Sequence, residues 1–218
     1  MIKLSKTSKL DGILSWSLQA IETCPGAIGA NGSLVAACSG CYATTGNYNY
    51  PNVKAPRAFN KQDWKRDRWV DDMVASLDSS RYFRWFDSGD MYALGLAEKI
   101  LQVMQRTPWC KHWLPTRMHK FPKFSQVLAD MQALDNVMVR PSADTVDGTF
   151  DTWVHGSVII PDADNAPLGV TVCEAYQRSG KCDGCRACWD KNVATIAYPA
   201  HGAKMAKVIR IMKHSQGV

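Results

Sequence analysis

The sequence predicts an α/β protein: a partial (β/α) barrel of about six mostly parallel strands, with a C-terminal cysteine-rich segment that binds a metal or cluster. Three observations predict it. Apolar runs of strand character alternate with stripes at helical spacing, polar residues follow the proposed strands, and seven of the eight cysteines fall into two groups. Such an order fits parallel strands joined by helical crossovers, because tight hairpins cannot make those connections. The 218 residues fall short of the ~250 of a full eight-fold barrel, so the barrel is expected to be incomplete.

Trp16 to Ile21 is the first apolar stretch, and it leads into Cys24 and a loop whose Gly26, Gly29 and Gly32 favour irregular backbone. Val70, Met73, Val74 and Leu77 then make a helical stripe, followed by a short aromatic strand, Tyr82 to Phe86. Ala97, Ile100, Leu101 and Met104 mark the next helix, stopped at Thr107-Pro108. His112 to Thr116 reads as a strand that Pro115 weakens. Pro122 suits the first turn of a third helix, whose buried face is Phe124, Val127, Leu128 and Met131. Asn136 to Arg140, Ser157 to Ile160 and Thr195 to Tyr198 supply the remaining strands. Met205, Val208, Ile209 and Met212 give a closing amphipathic helix, with Lys204, Lys207 and Arg210 on its other side. The expected division is 1–160 for the barrel with its cysteine loop, and 161–218 for the cysteine segment and closing helix packed on it.

Four polar groups each follow a proposed strand: Cys24; Asp87-Ser88-Gly89-Asp90; Thr116-Arg117; and Arg140 with Ser142. Barrels and open α/β folds gather their active sites at that end. Arg117 and Arg140 carry guanidinium forks suited to a carboxylate or phosphate, or to ordinary salt bridges. Asp87 and Asp90 could act as acid and base or bind an amine, and Asp90 could equally cap the next helix.

The cysteines carry the chemistry. Cys24, Cys38 and Cys41 read C-x13-C-x2-C, and Cys173, Cys182, Cys185 and Cys188 read C-x8-C-x2-C-x2-C. Two-residue gaps turn successive thiolates around one centre, whereas a disulfide between such neighbours is strained. Four thiolates fill a centre, either a 4Fe-4S cluster or a structural zinc, while three leave one position open and reactive. Cys110 reads as a packed free thiol. His119 and His201 lie nearest these motifs, and Tyr42, Tyr48 and Tyr50 pack the first cysteine loop. The opening MIKLSKTSKLDGILSW has no secretory pattern, and no stretch approaches the ~20 apolar residues of a membrane span, so a reduced cytoplasm is expected, with thiolates rather than disulfides. A net charge of +6 permits attraction to nucleic acid or to anionic, nucleotide-like small molecules without demonstrating either. In the basic stretch Lys61 to Arg68 the interleaved acids favour a solvated helix face.

Cys38-Ser-Gly-Cys41-Tyr42, preceded by Cys24 on the loop after the first strand, resembles an expanded cluster motif of radical S-adenosylmethionine enzymes, whose usual spacing is C-x3-C-x2-C. The resemblance implies three cysteines on three irons of a 4Fe-4S cluster and S-adenosylmethionine on the fourth. It further implies reductive cleavage of that cofactor to a 5'-deoxyadenosyl radical. Ser88, Gly89 and Asp90 are similar to the segment that contacts the cofactor's amino group, and Tyr42 lies beside the last cysteine. Over nearly its whole length the chain also resembles the phage gene product 88 family, through SKTSKLDG, CSGCYATTGNY, FRWFDSGDM, LPTRMHKFP and GKCDGCRACWDKN. That resemblance implies a lineage and a host-cell cytoplasm; it implies no activity.

Three functions are compatible with these residues. The first is a radical enzyme with an electron donor, acting on an anionic substrate held by Arg117 and Arg140. The second uses the open iron as a Lewis acid for hydrolysis or elimination. In the third, the cysteine sites only staple a basic phage protein that binds nucleic acid or a host factor.

Overall fold

The computed structural model describes residues 2–149 and 155–215. Its larger sheet is built from Ser5–Lys6 (β1), Leu14–Trp16 (β2), Tyr82–Trp85 (β3), Lys111–Thr116 (β4) and Val137–Pro141 (β5), in the order β1-β2-β3-β4-β5. β1 is antiparallel to β2, and β2 to β5 are mutually parallel. Gly156–Ile160 (β6), Thr171–Val172 (β7) and Thr195–Pro199 (β8) make a second, all-parallel sheet in the order β6-β8-β7. A single parallel bridge, Ser142 to Ser157, links the two sheets. They do not close into a barrel. Because β6 pairs with β8, the expected division at residue 160 runs through the second sheet.

The helices are Ala36–Ser39 (α1), Pro51–Asp63 (α2), Trp69–Ser76 (α3), Leu94–Arg106 (α4), Ser125–Ala133 (α5) and Ala203–Ser215 (α6). The apolar stripes of α3, α4 and α5 form one core on one face of the larger sheet, against Trp16, Phe83, Trp85, Leu114, Val137 and Val139. Alternation along a strand sends the intervening residues to the other face. There the Arg84 guanidinium lies 4.6 Å from the Trp113 ring centroid, and Trp113 meets Trp189 edge-on at 5.1 Å. Helices therefore cover one face, and the cysteine segment covers the other. Among the described residues no helix is long and apolar enough to cross a membrane.

Two elements differ from expectation, and a third, the strand weakened by Pro115, is present. The first strand is Leu14–Trp16 rather than Trp16 to Ile21, because the chain leaves the sheet after Trp16 and Ile21 takes a φ of +67°. Leu18 and Ala20 are buried in the loop that follows. α2 has no apolar stripe: it buries Arg57, Asn60 and Asp63, and Asn60 donates to the carbonyls of Lys3 and Ser17. Pro115 is tolerated inside β4 because it lies beyond Arg84↔Trp113, the last pair with β3. The basic stretch Lys61 to Arg68 begins in the last turn of α2; Arg66 pairs locally with Asp63 and Asp72, and Lys61 with the more distant Glu22.

Arg140 departs most from its expected role. It is fully buried, and its five donors meet six carbonyls: Cys188 from Nε, Gly156 and Ala194 from Nη1, and Ala187, Asp190 and Val193 from Nη2. No donor is left for a substrate anion. Each buried carbonyl stranded without a partner costs ~1–3 kcal/mol, so Arg140→Met should lower the unfolding free energy by about 3 kcal/mol or more in urea titrations. Arg140→Lys, with one ammonium in place of a planar fork, should rescue little of it.

His112 supplies a second test. It is buried in the main core, accepting from Trp85 Nε1 at Nδ1 (3.2 Å) while Nε2 lies 2.8 Å from the Thr107 hydroxyl, which donates to the Val103 carbonyl. Burial pulls its pKa from 6.5 down to about 3. The native ring stays neutral where the unfolded one takes up a proton, so this stability is present above pH 6.5 and lost as pH falls toward 3. The slope should be about 1.4 kcal/mol per pH unit over that window. Urea midpoints at pH 7, 6 and 5 should show this decline, and His112→Asn should flatten it.

Candidate functional site

Parallel strands release their following loops on one edge, and the loops after β2, β3, β4, β5, β7 and β8, together with residues of β6, surround one cavity of about 510 Å³. Cys24, Cys38 and Cys41 lie in its wall, as do Cys173, Cys182 and Cys188. Both cysteine groups thus open onto the same space. All four C-terminal cysteines, including the exposed Cys185, also ring a smaller cavity of about 40 Å³.

Cys24 closes the loop after β2, whose turns are held by Thr23, with its hydroxyl donating to the Gln19 carbonyl at 2.8 Å. Asp90 N donates to the Thr23 carbonyl, and Leu18 N to that of Ser88, so the loops after β2 and β3 are stitched together. Gly89 permits this. Its φ is +80°, and a Cβ there would lie 2.6 Å from Leu18 Cβ and 2.7 Å from Thr23 Oγ1. Phe86, the residue after β3, also takes a left-handed φ of +56°. Cys38 sits in α1, and Cys41 N donates to the Cys38 carbonyl at 3.1 Å, the turn that a two-residue gap produces. Ala37 N donates to the Asp144 carbonyl, which fastens α1 to the loop after β5.

Burial pushes the Cys24 thiol up to about 12, helped by the nearby Asp90 charge. Burial also raises Cys38, with the Arg117 charge opposing it. Cys24 responds to the charges of both Cys38 and Cys41, so the three thiols are electrostatic neighbours. In the C-terminal group, burial raises Cys182, which Lys9 opposes, and Cys188, to about 11. Cys188 Sγ lies 3.3 Å from the Tyr198 hydroxyl. Soft sulfur donors around a partly closed cavity are the chemistry of a zinc or iron-sulfur site. Among the described residues, however, no three His, Cys, Asp or Glu side chains are arranged to hold a single metal ion.

The turn that carries Cys182 and Cys185 is fixed by residues near the start of the sequence. Cys182 N donates to the Lys9 carbonyl, and Asp11 accepts from Asp183 N, Gly184 N and Arg186 Nη1. Arg186 and the Gly184 amide hold the Asp11 carboxyl below its ordinary range. Trp189 donates to the Phe83 carbonyl at 2.9 Å, and Arg140 grips the carbonyls of Ala187 and Cys188.

The remaining residues expected at the site divide. Arg117 lines the cavity; Nη2 donates to the Ala143 carbonyl, Nε lies 3.3 Å from Asp144, and Nη1 has no hydrogen bond among the described residues. It is available to an anion. Asp90 is buried and accepts from Thr116 Oγ1, Met91 N and Arg117 N, so it braces two strand ends. It caps no helix, since α4 begins at Leu94 with Ala93 before it. Burial raises its pKa against those three hydrogen bonds. Asp87 binds Arg84 at 2.9 Å and the Tyr48 hydroxyl at 2.6 Å, with Arg57 at 3.8 Å. Both of its oxygens are committed. Tyr42 donates to the Asp87 carbonyl, and the Ser88 hydroxyl to that of Leu18. His201 lines the cavity, while His119 Nδ1 sits 3.2 Å from the Thr116 carbonyl. Cys110 is buried in the helical core, its thiol raised to about 12 by burial.

Sequence reasoning missed Arg84 and Lys9. Arg84 was findable as the one charge in the aromatic strand Tyr82–Trp85, since alternation puts it on the face opposite Phe83 and Trp85.

A sequence model of the family described as gene product 88 matches residues 1–191. The chain belongs to the gene product 88 family. The match takes in all seven clustered cysteines and ends before β8 and α6. No curated protein and no solved structure matches the chain.

Gly89→Ala tests the junction between the two loops. A Cβ there meets both the backbone and side chain of Leu18 as well as the unfavourable φ, so the substitution should cost about 2 kcal/mol or more in a urea titration. Gly95→Ala, in α4 with nothing within 4 Å of the added Cβ, is the control and should be neutral or stabilising.

Proposed function

We propose that the protein is an iron-sulfur enzyme of a phage lineage, working in the host cytoplasm on a partial (β/α) barrel. Cys24, Cys38 and Cys41 would hold a 4Fe-4S cluster with one iron open, and Cys173, Cys182, Cys185 and Cys188 a second, filled centre. The observation that carries this reading is the single cavity onto which both cysteine groups open, at the loop edge of the parallel strands. Around one tetrahedral zinc, thiolates at ~2.3 Å from the metal stand roughly 4 Å apart; four irons spread them farther.

Such a cluster supplies single electrons, and an open iron also accepts a chelating ligand, as in the radical S-adenosylmethionine enzymes that the cysteine motif resembles. The protein's own groups then have distinct tasks. Arg117 Nη1 orients an anionic group of the substrate or cofactor beside the three thiols. Asp90, saturated by donors, keeps the Cys24 loop and the Arg117 backbone in register. Asp87 serves the Arg84–Tyr48–Arg57 network at the cavity wall and is no acid or base. Tyr42 ties the segment after Cys41 to the Asp87 carbonyl and to Arg84.

The test is anaerobic purification with iron, sulfide and zinc assays. Two clusters give about eight irons and eight sulfides per chain, and one cluster with a zinc tail gives about four irons and one zinc. Adding S-adenosylmethionine to the reduced protein should change the spectrum of the N-terminal cluster and release 5'-deoxyadenosine. Cys38→Ser should abolish both effects and spare the C-terminal centre. Folded, colourless, iron-free protein would overturn the reading.

A further inference from the structure

Lys9 is held in place by its backbone. Its turn, Ser8–Leu10, is pinned by the bond from Cys182 N to its own carbonyl and by the Asp11 clamp on the 183–186 turn. Its side chain lies in the cavity wall, and its charge reaches Cys182 and His201. Among the described residues its ammonium has no hydrogen bond and no ion pair. The nearest acid in sequence, Asp11, is spent on Arg186 and two backbone amides.

The cavity's other available cation, Arg117, acts on Cys38, beside the other cysteine group. Arg117 and Lys120 share the one carboxylate of Asp144. Asp87 is likewise shared between Arg84 and Arg57, and Asp90 is bonded only by neutral donors. Of the charged side chains in the cavity wall, Lys9, Arg84 and Arg117 are cations and Asp87 and Asp90 anions, so the wall is positive by one charge, with one underused cation beside each cysteine group. Like charges facing such a space attract an anion strongly, because the low dielectric screens little. A volume of about 510 Å³ is that of a small-molecule site.

We propose that Lys9 and Arg117 are two anion-binding poles of one cavity, and that its ligand is a small organic dianion lying between them. This deepens the enzymatic reading by naming the class of substrate, yet the binding can be measured whichever metal the cysteines carry. An alternative role for Lys9, neutralising thiolates of the C-terminal centre, predicts a different outcome.

The experiment is calorimetric titration of the purified full-length protein, with its metal content assayed, using the α,ω-dicarboxylates from succinate to pimelate and acetate as the one-ended control. One chain length should bind tightest, and acetate weakly. Lys9→Met and Arg117→Met should each weaken the best dicarboxylate by about tenfold or more, as loss of a charge-assisted hydrogen bond does. Lys9→Arg should restore most of the affinity. No dicarboxylate binding to the wild-type protein, or equal binding by Lys9→Met, would overturn the proposal. So would a Lys9→Met protein that loses metal from the four-cysteine site while keeping dicarboxylate affinity. Iron-free protein that still binds the dicarboxylate through both cations would refute the cluster and leave the two poles standing.

Discussion

The arrangement depends on one guanidinium. Among the described residues the two sheets meet at the Ser142–Ser157 bridge and the few bonds beside it, and one such point does not by itself fix the angle between them. Arg140 does so from the end of β5, reaching the first residue of β6, the turn after Cys188 and the approach to β8. A buried charge is costly, and here every donor is satisfied by backbone dipoles rather than by a carboxylate. Burial accordingly draws its pKa down from the ordinary arginine value, and the charges of Tyr198, Cys188 and Asp190 oppose that shift without cancelling it. The same contacts fix the carbonyls of Ala187 and Cys188, so the wall of the cavity is set by the joint between sheets.

What could be read from the sequence follows from where apolar side chains go. α3, α4, α5 and α6 were legible because each buries an apolar stripe. β3, β5, β6 and β8 were legible as short apolar runs with turns after them. β1 and β7, two residues each, have no length over which a period can show. α2 was hidden because its inward residues, Arg57, Asn60 and Asp63, are polar and bond to backbone and neighbours instead of packing in oil-like surroundings. The first strand was placed too late because Leu18 and Ala20 are buried in a loop, and burial alone does not distinguish a loop from a strand.

The site was legible in its residue types and only partly in their use. Cysteine spacing brought seven thiols to two cavities, and strand order put Ser88, Asp90 and Arg117 on the correct edge. Arg140 and Asp87 have the chemistry of binding or catalysis and spend it on carbonyls and on arginines. No sequence pattern separates a fork aimed at substrate from one aimed at main chain. Buried thiols add a further constraint: burial favours their protonated form, so any metal that enters must displace protons from Cys24, Cys38, Cys182 and Cys188.

Asp11 and its partners bear on the order in which the molecule is made. The carboxylate meets residues 172, 173 and 175 positions downstream, among the longest loop closures the chain contains. Closing so long a loop is entropically expensive, and contacts of that separation form late. The Ser8–Leu10 turn therefore waits for the segment after Gly180 before it can lock. Until then the turn that carries Cys182 and Cys185 lacks one of its supports, and the cavity wall it forms is incomplete. Assembly of the site is, in kinetic terms, one of the last events of folding.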